Sequence, residues 1–261
     1  MKTYSLTRHA LALGLLSATG AACADDAPPA NNVTVGIAGV NSPRYSGADK
    51  QHWSMAPVFQ ARDGAFFVDS QKGIGYDLQA DNGLYLEHTL GYGLGRDEKD
   101  SQWRDGSNKL KGMGKIKSVA NTAIAVGWSV TPWLVLEGKA TLPLTDGQGV
   151  QYRPSVTLIP WQTTSDTVAL QMAGLFGDAR YMNTFYGVSA EQSQRSGYAR
   201  YDAPGGFYST DTSLTWSHQF PSGWGTSVTA DYAWLGDHAK DSPIVSRRGG
   251  LTSMLALTYS F

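Results

Sequence analysis

The chain has 261 residues, among them 30 Gly, 13 Tyr, 8 Trp and 8 Phe, but only 16% are charged, against about 25% in an ordinary soluble domain. A formal net charge of −1 leaves no broad basic surface, which removes the electrostatic footprint of a nucleic-acid-binding protein. The single cysteine, Cys23, excludes a disulfide framework.

In chain order, the first predicted element is an export signal. Lys2 and Arg8 precede the apolar run ALALGLLSATGAA, and Ala22-Cys23-Ala24 supplies an A-x-A cleavage site, so cleavage is expected after Ala24. Residues 1–24 are then a signal peptide and 25–261 a single domain. The apolar run is shorter than the roughly 20 residues of a spanning helix. Gly20 stands where a lipoprotein signal normally carries Leu, which argues against a lipidated Cys23. Removing the signal leaves 19 basic and 22 acidic residues and no thiol.

Beyond residue 24 no stretch approaches 18 consecutive apolar residues, and the recurring period is two. Strands are expected at 32–41, 52–62, 64–69, 73–80, 83–95, 116–130, 133–143, 149–160, 165–176, 206–220, 224–235 and 250–261. In the tenth, Tyr208, Thr210, Thr212, Leu214, Trp216, His218 and Phe220 form a mostly apolar face with aromatic ends, and the interleaved residues are polar. Strands this long, ringed at both ends, suit a transmembrane barrel: aromatics at the two interfaces and a polar face towards a lumen. A soluble sandwich also alternates, but its strands average about 5–6 residues. Tight turns are expected at Asp63-Gly64, Asp81-Asn82-Gly83, Thr131-Pro132 and Pro221-Ser222-Gly223, and long polar loops at 42–51, 96–115, 177–205 and 236–249. That asymmetry matches short periplasmic turns and long extracellular loops. The expected fold is all-β, an antiparallel transmembrane β-barrel of about 12 strands; should the short 64–69 segment fail to span, ten remain.

Chemistry is sparse. His52, His88, His218 and His238 show no metal-ligand spacing. His88 and His218 fall in the apolar phase of their strands, where a lipid-face hydrolase would place a base, or where imidazole serves as an interfacial ring. No nucleophile, base and orienting group can be named together, so no catalytic residue and no cofactor is expected. GYGLG at 91–95 lies in a strand, where Gly marks bending or close packing. By phase, Asp77, Glu87, Glu137, Lys139, Arg153, Asp211 and Asp231 face the lumen, either as a selective lining or as an internal polar network. The segments SPRYSGADKQHW, YGVSAEQSQRSGY and LGDHAKDSPIV are rich in aromatics, Gly and charge, and loops on a rigid barrel are where binding concentrates. Tyr45, Gly47, Asp49, Tyr186, Gly187, Asp241, Ser242 and Pro243 are the candidate contacts there.

SPRYSGAD, FFVDSQKGIGYDL (66–78), FYGVSAEQSQRSG (185–197) and DSPIV (241–245), followed by a terminal aromatic strand, together resemble the MipA/OmpV family of outer-membrane proteins, the MltA-interacting protein family. The resemblance runs through essentially the whole chain after the signal. It implies a non-enzymatic outer-membrane barrel in contact with lipid and lipopolysaccharide. It also implies a scaffold linking a lytic transglycosylase to a murein synthase in peptidoglycan remodelling. Other members resemble sensors in responses to antibiotics, bile or osmotic stress, so a small-solute channel or a sensor of amphiphiles is the alternative. The ending LTSMLALTYSF, with Tyr259 and Phe261 at its close, resembles the signal by which barrel assembly machinery recognises its clients.

Overall fold

The computed structural model describes residues 31–145 and 147–261; the expected cleavage after Ala24 lies outside them. Twelve strands close into one barrel. In chain order the elements are β1 (Asn31–Pro43), β2 (Gln51–Asp63), β3 (Phe66–Asp69), β4 (Gly73–Gln79) and β5 (Leu84–Gly93). A two-residue parallel pair follows in a loop, β6 (Arg96–Asp97) and β7 (Asp105–Gly106), then a 3-10 turn at Asn108–Leu110. The wall resumes with β8 (Val119–Thr131), β9 (Leu134–Pro143), β10 (Gln151–Gln162) and β11 (Asp166–Gly177). Helices α1 (Ala179–Phe185) and α2 (Ala190–Ser196) precede β12 (Gly206–Gln219) and β13 (Trp224–Leu235), and α3 (Asp237–Lys240) precedes β14 (Gly249–Ser260). All twelve expected strands are present; 64–69 contracts to the four residues of β3 but keeps its place between β2 and β4.

Every wall pairing is antiparallel between sequence neighbours, and β14 returns to β1 over Thr34–Asn41 and Ser253–Ser260. Closure leaves no sheet edge running the full height of the wall, which backbone in hydrocarbon requires because nothing there can replace a ladder bond. At one end the connections are tight. Gly223 adopts φ +86°, a conformation open to glycine at little cost, and its N–H donates to Phe220 O at 3.1 Å.

The outer face is apolar and framed by two rings of aromatics. Trp128, Trp133, Trp161, Trp224 and Phe261 are exposed near the tight-turn end, and Trp53, Tyr92, Tyr152, Tyr232 and Trp234 near the other. These are the belts of a membrane barrel. One expected phase fails. Strand alternation places Tyr208 on the lipid face, yet it is 3% exposed and points inward. The β11–β12 register shifts between Leu175 and Phe176, and Phe207 takes the outward position beside Phe176, ring centroids 5.4 Å apart. A bulge adds one residue and so reverses the facing of everything beyond it.

Candidate functional site

The four long loops do not stand separately in solvent. They fold together over one mouth of the barrel into a cap with its own apolar interior. Tyr45, Ala48, Leu110, Met113, Val188 and Ile244 form one buried cluster, and Met182, Tyr186, Ala203, Tyr208, Leu235 and Ala239 a second. The first cluster draws on all four loops and the second joins two of them to β12 and β13, so burial of apolar surface holds the loops to one another and to the wall.

Local rules build the pieces. Asp178 caps α1 by accepting from Tyr181 N at 2.7 Å. Ser189 and Gln192 form a reciprocal capping box on α2, which ends at Gly197 in the left-handed conformation. The three loop motifs singled out by composition then meet. Tyr45 donates its hydroxyl hydrogen to Ile244 O at 2.8 Å. Ser242 Oγ donates to Tyr186 O, and the Tyr186 and Ser46 hydroxyls lie 2.7 Å apart. Gly47 O accepts from Ser246 N and Arg247 N, while Gly187 N donates to Asn183 O at 3.1 Å. Asp49 pairs with Lys109 at 2.7 Å. Pro243 is half-buried, and Asp241 is exposed beside Lys240 at 3.0 Å. Among these candidates, Tyr45, Tyr186 and Ser242 are buried inside the cap; Asp49 and Asp241 remain outside.

Two charged residues that the sequence did not single out organise the underside. Arg96 is 5% exposed, and its Nη1 donates to Phe185 O at 2.6 Å, tying the β5–β8 loop to α1. Burial lowers its pKa, while the Tyr45 and Tyr186 hydroxyls and Asp105 oppose that shift. Across the β6–β7 pair, Asp105 has accessible surface, yet burial lifts its carboxyl to about 6 against the pull of Arg96. Burial also raises the Tyr181 hydroxyl, with Asp105 and Asp211 adding to the rise.

All seven expected lumen residues lie on the inner face. On one side of the wall they form a network: Arg62 to Asp77 at 2.8 Å, Lys72 to Glu87 at 2.6 Å, and Tyr85 hydroxyl to Glu137 at 2.8 Å. Arg153 donates to Gln171 at 2.8 Å, and Gln171 to Thr157 at 3.1 Å. On the opposite side Asp211 and Asp231 are diagonal neighbours, since Asp211 faces Ala233 and Ser213 faces Asp231. The lumen thus carries paired ions around β2, β4 and β5, and two adjacent carboxylates on β12 and β13 with Arg153 two strands away on β10. Lys139 lies on the inner face of β9 opposite Arg153.

The lipid-face histidines take structural partners. His88 lies 2.8 Å from Thr122 Oγ1 and packs edge-on to Tyr76. His218 Nδ1 meets Asp166 Oδ1 at 2.9 Å, but Ser165 Oγ donates to the same carboxylate rather than to the imidazole, so the serine is not aligned with the base as a nucleophile requires. Among the described residues no group of three or more His, Cys, Asp or Glu could hold a metal.

A family model described as MltA-interacting protein MipA matches residues 35–261. No curated protein matches the chain at a significant level. Among solved structures, the COG4313 outer membrane channel from Pseudomonas putida F1 is 10% identical, with a TM-score of 0.45 over 91% of this chain and 97% of that one. The translocator domain of the autotransporter NalP from Neisseria meningitidis is 11% identical, with a TM-score of 0.43 over 91% and 90%. The NanC porin is 8% identical, with a TM-score of 0.40 over 88% and 99%.

Proposed function

Because the chain belongs to the MltA-interacting protein MipA family of non-enzymatic outer-membrane β-barrels, we propose that this member is a capped barrel that senses or admits small cationic or amphiphilic solutes. The supporting observation is a charged lumen, with Asp211 and Asp231 as diagonal neighbours on its wall, lying beneath a mouth that the long loops cover. Carboxylates gathered in a confined space favour cations there. A cap with its own apolar clusters couples what binds beneath it to the packing of the loops above. The reading is tested by thermal unfolding of the purified barrel with and without a cationic amphiphile. A rise in midpoint that disappears in Asp211→Asn/Asp231→Asn supports it. Absence of both a shift and a discrete conductance in planar bilayers overturns it.

The family description favours a second reading, contact with MltA. The tight-turn end supplies little surface for it: short connections such as residues 80–83 and 220–223. Enrichment of a lytic transglycosylase or murein synthase on barrel isolated from outer membranes supports this scaffold role; its absence under complex-preserving conditions counts against it.

A further inference from the structure

The barrel wall is not complete over its whole height. β3 pairs with β2 only through Gln60–Asp63, and with β4 only through Phe66–Asp69. The hairpin therefore turns back at Ser70–Lys72, inside the span, and Gln51–Val58 of β2 meet no strand on that side. Ser70 closes the hairpin onto β2: its N–H donates to Phe59 O at 2.9 Å and its hydroxyl accepts from Phe59 N at 3.2 Å. On the far side, Gly91 of β5 lies against Lys72, so that a Cβ there would sit 2.7 Å from Lys72 O. Above that level Tyr92 and Gly93 pair with no strand on the β2 side. At the height of the hairpin, three strand spacings separate β2 from β5, roughly 14 Å at about 4.8 Å each.

The gap is framed on all sides. Its floor is the Ser70–Lys72 turn. Its roof is the β5–β8 loop, where Gly106 N donates to Arg44 O at 2.7 Å and Lys109 reaches Asp49 at 2.7 Å. Below His52, the inward positions beside it are modest or bare: Ser54, Ala56 and Val58 on β2, Gly91 and Gly93 on β5. The outer lips are large and apolar, with Trp53 69%, Met55 65% and Tyr92 66% exposed.

We infer that this window in the long-loop half of the wall is a lateral entry for a single-chain amphiphile with a hydrogen-bond-donating head group, passing between the lipid and the lumen. The inference deepens the proposed solute reading and rests on it. Backbone direction supplies the head-group preference. Phe59 points its N–H and C=O at the hairpin, so by strand alternation Pro57, Met55 and Trp53 point theirs into the gap. Proline has no N–H, so along that edge acceptors outnumber donors by one. An unpaired edge invites a partner strand, but Pro57 at its middle breaks the ladder such a strand would need. The apolar lips suit the chain, and the surplus acceptors suit a hydroxyl or amine head.

The test uses the full barrel in nanodiscs doped with a monoacylglycerol carrying a mid-chain diazirine. After illumination, cross-linked peptides are mapped by mass spectrometry. Labelling concentrated in residues 51–59 and 90–95 is expected. Gly93→Leu with Ala56→Leu narrows the opening; the Gly93 Cβ site has only ordinary contact with Val119 at 3.5 Å. This double variant should cut that labelling severalfold while the heat-modifiable barrel persists, whereas Thr141→Leu, on a closed part of the wall, leaves it unchanged. Labelling spread evenly around the belt, or confined to the cap, overturns the inference. So does a peptide strand co-purifying along β2. Window labelling without any thermal shift from a cationic amphiphile would refute the sensor reading alone.

Discussion

At the scale of residues, Arg96 and Asp105 carry the strongest expectations. Arg96 is buried with a charge-assisted bond to Phe185 O, and bonds of that kind contribute about 1.5–3 kcal/mol. Arg96→Met should loosen the cap by about 2 kcal/mol, seen as faster proteolysis of the loops with the barrel intact. Asp105 has a folded pKa of about 6, above its ordinary 3.8. Between those values the folded protein holds more protons than the unfolded one, so the contribution of this group to stability falls as pH rises through the window. The cap should therefore resist proteolysis better near pH 5 than near pH 7. Asp105→Asn should flatten that dependence; a profile identical to the unsubstituted protein would contradict it.

At the scale of elements, β14 and α2 make separate predictions. β14 joins the two ends of the wall, and Phe261 N donates to Val33 O at 3.0 Å while its ring packs edge-on to Tyr259 at 4.9 Å. Deleting Phe261 removes a closing bond and a belt ring together, and should lower the fraction of heat-modifiable barrel in membranes. For α2, Ser189→Ala breaks the capping box and should cost about 1 kcal/mol, read as increased proteolysis in 190–196. The strands themselves were legible from period two and aromatic ends, β3 included, despite its four residues. Tyr208 was misplaced because a bulge is a pairing feature: one strand's pattern does not reveal an extra residue opposite a neighbour.

At the scale of the whole molecule, the cap covers one mouth of the barrel. With the loops packed into shared clusters, the mouth is narrower than twelve strands alone would leave it. Replacing residues 179–204 with a short Gly-Ser linker should raise single-channel conductance in planar bilayers. Equal conductance before and after would mean that this part of the cap does not limit the path. The loop motifs were legible as distinctive, and they do converge. Composition could not say that Tyr45 and Tyr186 face inward, because an aromatic in a polar loop reads the same whether it meets solvent or another loop.

The sequence by itself determined the architecture. Alternation, aromatic ends and turn residues are local properties, and a chain that must satisfy its backbone in lipid with strands has only the closed barrel available. It also placed seven ionisable groups on the inner face, since facing follows from phase, but not their partners Arg62 and Lys72. What tertiary structure alone decided is which of those groups meet. The Arg62–Asp77 and Lys72–Glu87 pairs, the cap's two clusters and the window above β3 all depend on register and on contacts between distant loops. A period along one strand carries no information about either.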